Sequence, residues 1–191
     1  MDITRIGIKL FLANPKVHVE SVVQVFHAWI QQQALAGNLL IDVADYLHVP
    51  TGPGVVLIGH EANYAIDGGL PGVGLLYQRK RPMEEGDLKG RLAHAFREAL
   101  SAAWLLEREE KLKWGFDLWQ MQIRIADKLN APNTAETFGR LKPEIEGFLK
   151  GMLGGVEFTL EQNGDERVAF EVMVRVKKLE TVEMLLSRVQ V

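Results

Sequence analysis

Twice along the chain, an apolar strand runs into Asn and Pro and then into a helical stripe. The first instance is Ile8-Lys9-Leu10-Phe11-Leu12-Ala13-Asn14-Pro15; the second is Ile123-Arg124-Ile125-Ala126-Asp127-Lys128-Leu129-Asn130-Ala131-Pro132. Each leads into the same order of elements: a helix, two strands and another helix. The likeness is one of pattern, not of residue identity. It constrains the fold through burial. A lone strand–helix–strand–strand unit covers one face of a small sheet with one helix, whereas two units can share a core about a pseudo-twofold axis. A doubly wound parallel sheet is disfavoured, because hairpins stand where single strands would have to alternate with helices. The expected class is therefore α+β: two tandem strand–helix–strand–strand(–helix) repeats, with a mainly antiparallel sheet and helices packed on one face. Residues 1–113 form the first repeat, with a Gly-rich insertion, and 114–191 the second, within one compact unit.

The elements follow from periodicity. Ile6, Ile8 and Leu10 alternate with Arg5, Gly7 and Lys9, predicting a strand over 4–12. Val19, Val22, Val23, Phe26, Trp29 and Ile30 recur at helical spacing, predicting a helix over 19–35 that stops at Gly37-Asn38. Strands are expected over 39–47 and 55–66 as a hairpin around a Pro- and Gly-rich loop, with an irregular segment at 67–74 and a short strand at 75–79. Leu88, Leu92, Phe96, Ala99, Ala103 and Leu106 give the longest helical stripe, over 87–113, capped by Asp87. Its tail, 107–111, reads as a solvated last turn with salt pairs. A strand over 116–128 should carry Trp119, Met121, Ile123 and Ile125 on one face. The next helix opens with Asn133-Thr134-Ala135-Glu136, a capping box with Asn as the cap, and Pro143 should kink or restart it. Strands at 156–160 and 168–176 turn around Asn163-Gly164, and a last helix covers 180–188.

Composition enters by exclusion. The 191 residues include no Cys, which removes disulfides, thiolate nucleophiles and Cys-type metal sites together. A net charge of −3 argues against a dedicated nucleic-acid binder. No stretch approaches a membrane span, and the opening residues lack a secretory pattern, so a cytoplasmic location is expected.

Chemistry-bearing side chains are densest between residues 42 and 67: Asp42, Asp45, Tyr46, His48, His60, Glu61, Tyr64 and Asp67. Hairpin pairing would bring some of the carboxylates and histidines together, and a His beside a carboxylate can act as a general base or as half a metal site. Against this, there is no HExxH and no nucleophile elbow, and His60 and Glu61, being adjacent, would point to opposite faces of one strand. A polar outer face of the hairpin accounts for most of the cluster. The Gly68–Gly74 loop and the run Arg79-Lys80-Arg81 hint at anion binding, but match no phosphate-loop spacing. His18 and His94 are expected to face solvent. Trp114, Phe116 and Trp119 bunch at the junction of the two repeats, where an apolar pocket with few polar groups would favour a ligand.

The duplicated plan resembles the strand–helix–strand–strand modules of gyrase-inhibitor-like and haem-binding SOUL-type proteins. That resemblance is architectural, and it implies a small hydrophobic ligand held in a groove between repeats. The leading expectation is thus a small-molecule binding module with Asp42, Asp45, Tyr46, His48, His60, Trp114 and Trp119 as candidate binding residues. One alternative is an acid–base or metal-assisted hydrolase built on the Asp/His cluster. Another is a homo-oligomeric interaction protein, such as a homodimer. No cofactor or resident metal is expected, nor nucleic acid or membrane as partner.

Overall fold

The computed structural model describes residues 3–14, 16–50, 52–83, 86–177 and 181–189. Pro15, expected to break the first strand, Thr51 in the hairpin loop and Glu180, expected to open the last helix, lie outside the described residues. The order of elements is β1 (Ile6–Leu12), α1 (Val22–Gln32), β2 (Leu40–Asp45), β3 (Val55–Gly59), β4 (Ala62–Asp67), β5 (Gly74–Arg79), α2 (Leu88–Glu107), β6 (Phe116–Ile125), α3 (Ala135–Met152), β7 (Phe158–Gln162), β8 (Phe170–Val176) and α4 (Val182–Val189). The strands form one eight-stranded antiparallel sheet in the order β2-β3-β4-β5-β1-β6-β8-β7. The class is α+β, as the sequence pattern implies.

Side-chain alternation decides what each face carries. Ile8 of β1 lies opposite Tyr77 on one side and Ile123 on the other, and Ile123 lies opposite Val172. These residues, with Leu10, Leu75, Met121 and Val174 in the next row, are buried. All four helices contribute to one core with this layer: Phe26 and Trp29 from α1, Leu92 and Phe96 from α2, Ile145 and Phe148 from α3, and Leu185 from α4. The Phe96 and Phe148 rings stack with centroids 5.3 Å apart, locking α3 to α2.

The opposite face is polar along its centre, and a loop lies over it. Lys9 is only 1% exposed. Its ammonium donates to Asp67 Oδ2 at 2.7 Å and to Gly69 O at 3.0 Å, while Gly69 N donates back to Asp67 Oδ1 at 3.0 Å. The glycine-rich segment after β4 is thereby pinned to the sheet.

Several elements depart from the periodic reading. The run 55–66 is two strands, because the chain reverses at His60 and Glu61. Asn38 fixes that turn: its Oδ1 accepts from Glu61 N at 2.9 Å and its Nδ2 donates to Ala62 O at 3.0 Å. A Cβ at Gly59 would sit 2.3 Å from that amide, so the turn needs glycine there. Helix α1 ends at Gln33, whose φ of 48° is left-handed, short of Gly37. Helix α2 ends at Glu107 and not near 113, since its expected solvated tail is put to other use. Glu107 accepts from Phe116 N at 3.2 Å and Glu109 accepts from Trp29 Nε1 at 3.2 Å.

In β6 the register against β1 shifts between Leu10–Met121 and Phe11–Asp117. The extra residues 118–120 break the alternation, so Leu118 is buried while Trp119, expected beside Met121, is 47% exposed. Helix α3 runs through Pro143 without restarting; the residue whose carbonyl the proline ring crowds, four positions earlier, is Gly139. Its cap is Thr134, whose hydroxyl accepts from Thr137 N, and not Asn133. Asn133 is buried and donates instead to Asn163 O and Asp165 O, tying down the loop between β7 and β8.

Candidate functional site

The hairpin cluster is spread out by its own register. Asp42 pairs with Ile58 and Asp45 with Val55, so Asp45, Tyr46 and His48 lie at one end of β2. His60 lies at the other end, its amide donating to Leu39 O at 2.8 Å. Five residues of strand separate the ends, about 16 Å at 3.3 Å per residue. Asp42, Asp45, Tyr46 and His48 are exposed, and the two carboxylates serve the local backbone: Asp42 Oδ1 accepts from Val43 N and Asp45 Oδ1 from Leu47 N, both at 2.8 Å. His60 instead faces Glu61 Oε1, 3.6 Å away. Among the described residues, no three His, Asp or Glu side chains are grouped to hold a metal ion.

The junction between the two halves is built differently. After β1, residues 13–14 and 16–21 run beside the connector 111–115 that leads from α2 into β6, and Ala13 N donates to Gly115 O at 2.9 Å. Between them opens a cavity of about 460 Å³. Its apolar part is Leu112 and Trp114, both 8% exposed, with Val17. Its polar part is Lys16, His18, Lys111 and Lys113. Lys113 sits in the left-handed region with φ of 53°, a strain that costs a residue with a side chain on the order of 1 kcal/mol.

Elsewhere several cations have acidic partners: Lys9 pairs with Asp67, Arg79 with Glu61, Arg124 with Glu171 and Arg175 with Glu161. Among the described residues, no carboxylate comes within ion-pair distance of Lys16, His18, Lys111 or Lys113. No family model, curated protein or solved structure matches the chain. The functional reading therefore rests on this geometry.

Of the seven candidate binding residues, the structure brings only Trp114 into the junction cavity; Trp119 stands apart on its bulge. The four basic residues went unnoticed in the sequence because each is bland alone. Lys111 looked like a helix tail and His18 like a solvent-facing residue. The available signal was the tripeptide Lys111-Leu112-Lys113 directly before Trp114, set against Lys16-Val17-His18 after the first strand.

A second polar group lies under α2, where Tyr64 of the sequence cluster meets Glu98 and Tyr77, two residues the sequence did not single out. The Tyr64 hydroxyl donates to Glu98 Oε2 at 3.1 Å, and the Tyr64 and Tyr77 rings meet edge to face with centroids 5.3 Å apart. Burial, and then the nearby Glu98 charge, push the Tyr64 phenol up; burial does the same to Tyr77. Burial also raises the Glu98 carboxyl, against the pull of Tyr64 and Arg97.

Proposed function

We propose that the protein is a small-molecule binding module whose ligand seats at the junction of two related halves, residues 1–113 and 114–191. The division is supported by the sheet order. β1 and β6 are antiparallel neighbours inside it, each is followed by a helix, and each has beside it the last strand of its own half, β5 or β8. On this reading the hairpin β2–β3 is an addition to the first half.

The ligand we infer is a small molecule with an apolar body and an anionic head, such as a carboxylate. The carrying observation is the set of basic side chains around the Trp114 floor that have no acidic partner among the described residues. A cation left unpaired beside an apolar wall favours a ligand that neutralises it, and Leu112, Trp114 and Val17 supply the wall. The hydrophobic ligand that the architecture suggested thus acquires a charge.

Trp114 provides the readout. Titration with benzoate and with octanoate should give a saturable change in tryptophan emission. In Lys16→Gln/Lys111→Gln/Lys113→Gln the affinity should fall by about tenfold or more, and salt should weaken wild-type binding. Equal affinity of wild type and the triple variant would remove the anionic head from the reading. Native mass spectrometry of gently purified protein checks the class directly through any small molecule retained.

A further inference from the structure

We propose that a second cavity, at the opposite end of α2, binds a phosphate group carried by a small molecule. The cavity measures about 680 Å³ and lies between the strand ends of β4 and β5 and the first turns of α2. Arg79 ends β5, Arg81 follows it, Arg91 and His94 come from α2, and Glu61 comes from the turn before β4.

The basic groups are held in place. Arg79 Nη2 lies 2.8 Å from Glu61 Oε2, and its Nε donates to Arg81 O at 3.0 Å. Arg91 is only 7% exposed, and its Nη1 donates to Ile3 O at 2.9 Å. His94 Nδ1 lies 2.9 Å from Arg97 Nη2. A guanidinium can only donate, so Nδ1 accepts and the proton of the neutral ring resides on Nε2. Burial, with Arg97 and Arg79 nearby, holds His94 below the ordinary imidazole range and keeps it neutral. The site therefore offers guanidinium N–H groups and one imidazole N–H. Glu61 is the one carboxylate among the described lining residues, and it is engaged by Arg79.

Helix-end amides are not what builds this site, because the Asp87 carboxylate already accepts from Gly90 N at 2.8 Å. Its donors are side chains arriving from three segments: the end of β5, the loop after it, and α2. Donors gathered around a volume suit a tetrahedral oxyanion better than a planar carboxylate, and the guanidinium fork matches phosphate oxygens in pairs. The run Arg79-Lys80-Arg81 hinted at phosphate in the sequence; the fold adds Arg91 and His94 from a distant segment.

The test is an amide NMR titration of the full chain with phenyl phosphate and with inorganic phosphate near neutral pH. Saturable shifts are expected at Gly90, Arg91 and His94. Arg81 is exposed, so Arg81→Gln should fold as wild type while its Kd rises about tenfold. His94→Gln, which keeps an N–H donor, should bind more nearly as wild type than His94→Phe. The triple lysine variant at the junction should leave these shifts unchanged, separating the two sites. Absence of saturable shifts at these amides overturns the proposal. So does an unaltered Kd in Arg81→Gln, or loss of phosphate binding in the junction variant alone.

Discussion

Lys9 shows what one buried charge costs and what it secures. Its ammonium is enclosed on the polar face of the sheet and neutralised by Asp67. Removing the partner leaves the charge stranded, so Asp67→Ala should lose about 3–5 kcal/mol in denaturant unfolding. The double change Lys9→Met/Asp67→Leu should recover most of that loss, because the stranded charge is gone. Glu98 tests a different balance. Burial raises its carboxyl in the folded chain above the ordinary value of 4.5. Above that value the native state binds more protons than the unfolded one. Stability from this group is therefore present at low pH and lost as pH rises through the raised value. Gln imitates the protonated form and can still accept from Tyr64. Glu98→Gln should melt with wild type near pH 4 and above it near pH 7.5. A variant that melts below wild type at the higher pH would contradict the assignment.

At the scale of elements, the helix-facing core turns on contacts between helices as much as on the sheet. Phe148→Ala empties the space beside Phe96 and should cost about 3–5 kcal/mol, read from the shift in unfolding midpoint. Such helix stripes were legible in the sequence, because a buried face repeats every three or four residues and is read locally. The turn at His60 and Glu61 was not legible. It lacks the usual Asn-Gly signal, and the side chain that fixes it, Asn38, lies far back in the chain. Trp119 was misplaced for a related reason. A bulge changes which face a residue meets, and it is visible only once β1 is laid against β6. The junction cavity was half legible: Trp114 stood out as an aromatic at a boundary, whereas its lysines gain meaning only from their convergence there in the fold.

For the molecule as a whole, the pairing of β1 with β6 makes the two halves interdependent. β6 takes β1 on one side and β8 on the other, and α2 packs against α3 and α4. Residues 114–191 made alone would expose both the edge of β6 and the apolar surface that α2 covers. That fragment should show no cooperative thermal transition by circular dichroism, and adding residues 1–113 in trans should restore one. The same arrangement bears on synthesis. β1 leaves the ribosome before β5 and β6 exist, yet both its flanks must be covered, first by Tyr77 and its neighbours and later by Ile123. Until then an entirely apolar strand face has no home, and pairing between segments so far apart in the chain is intrinsically slow to form.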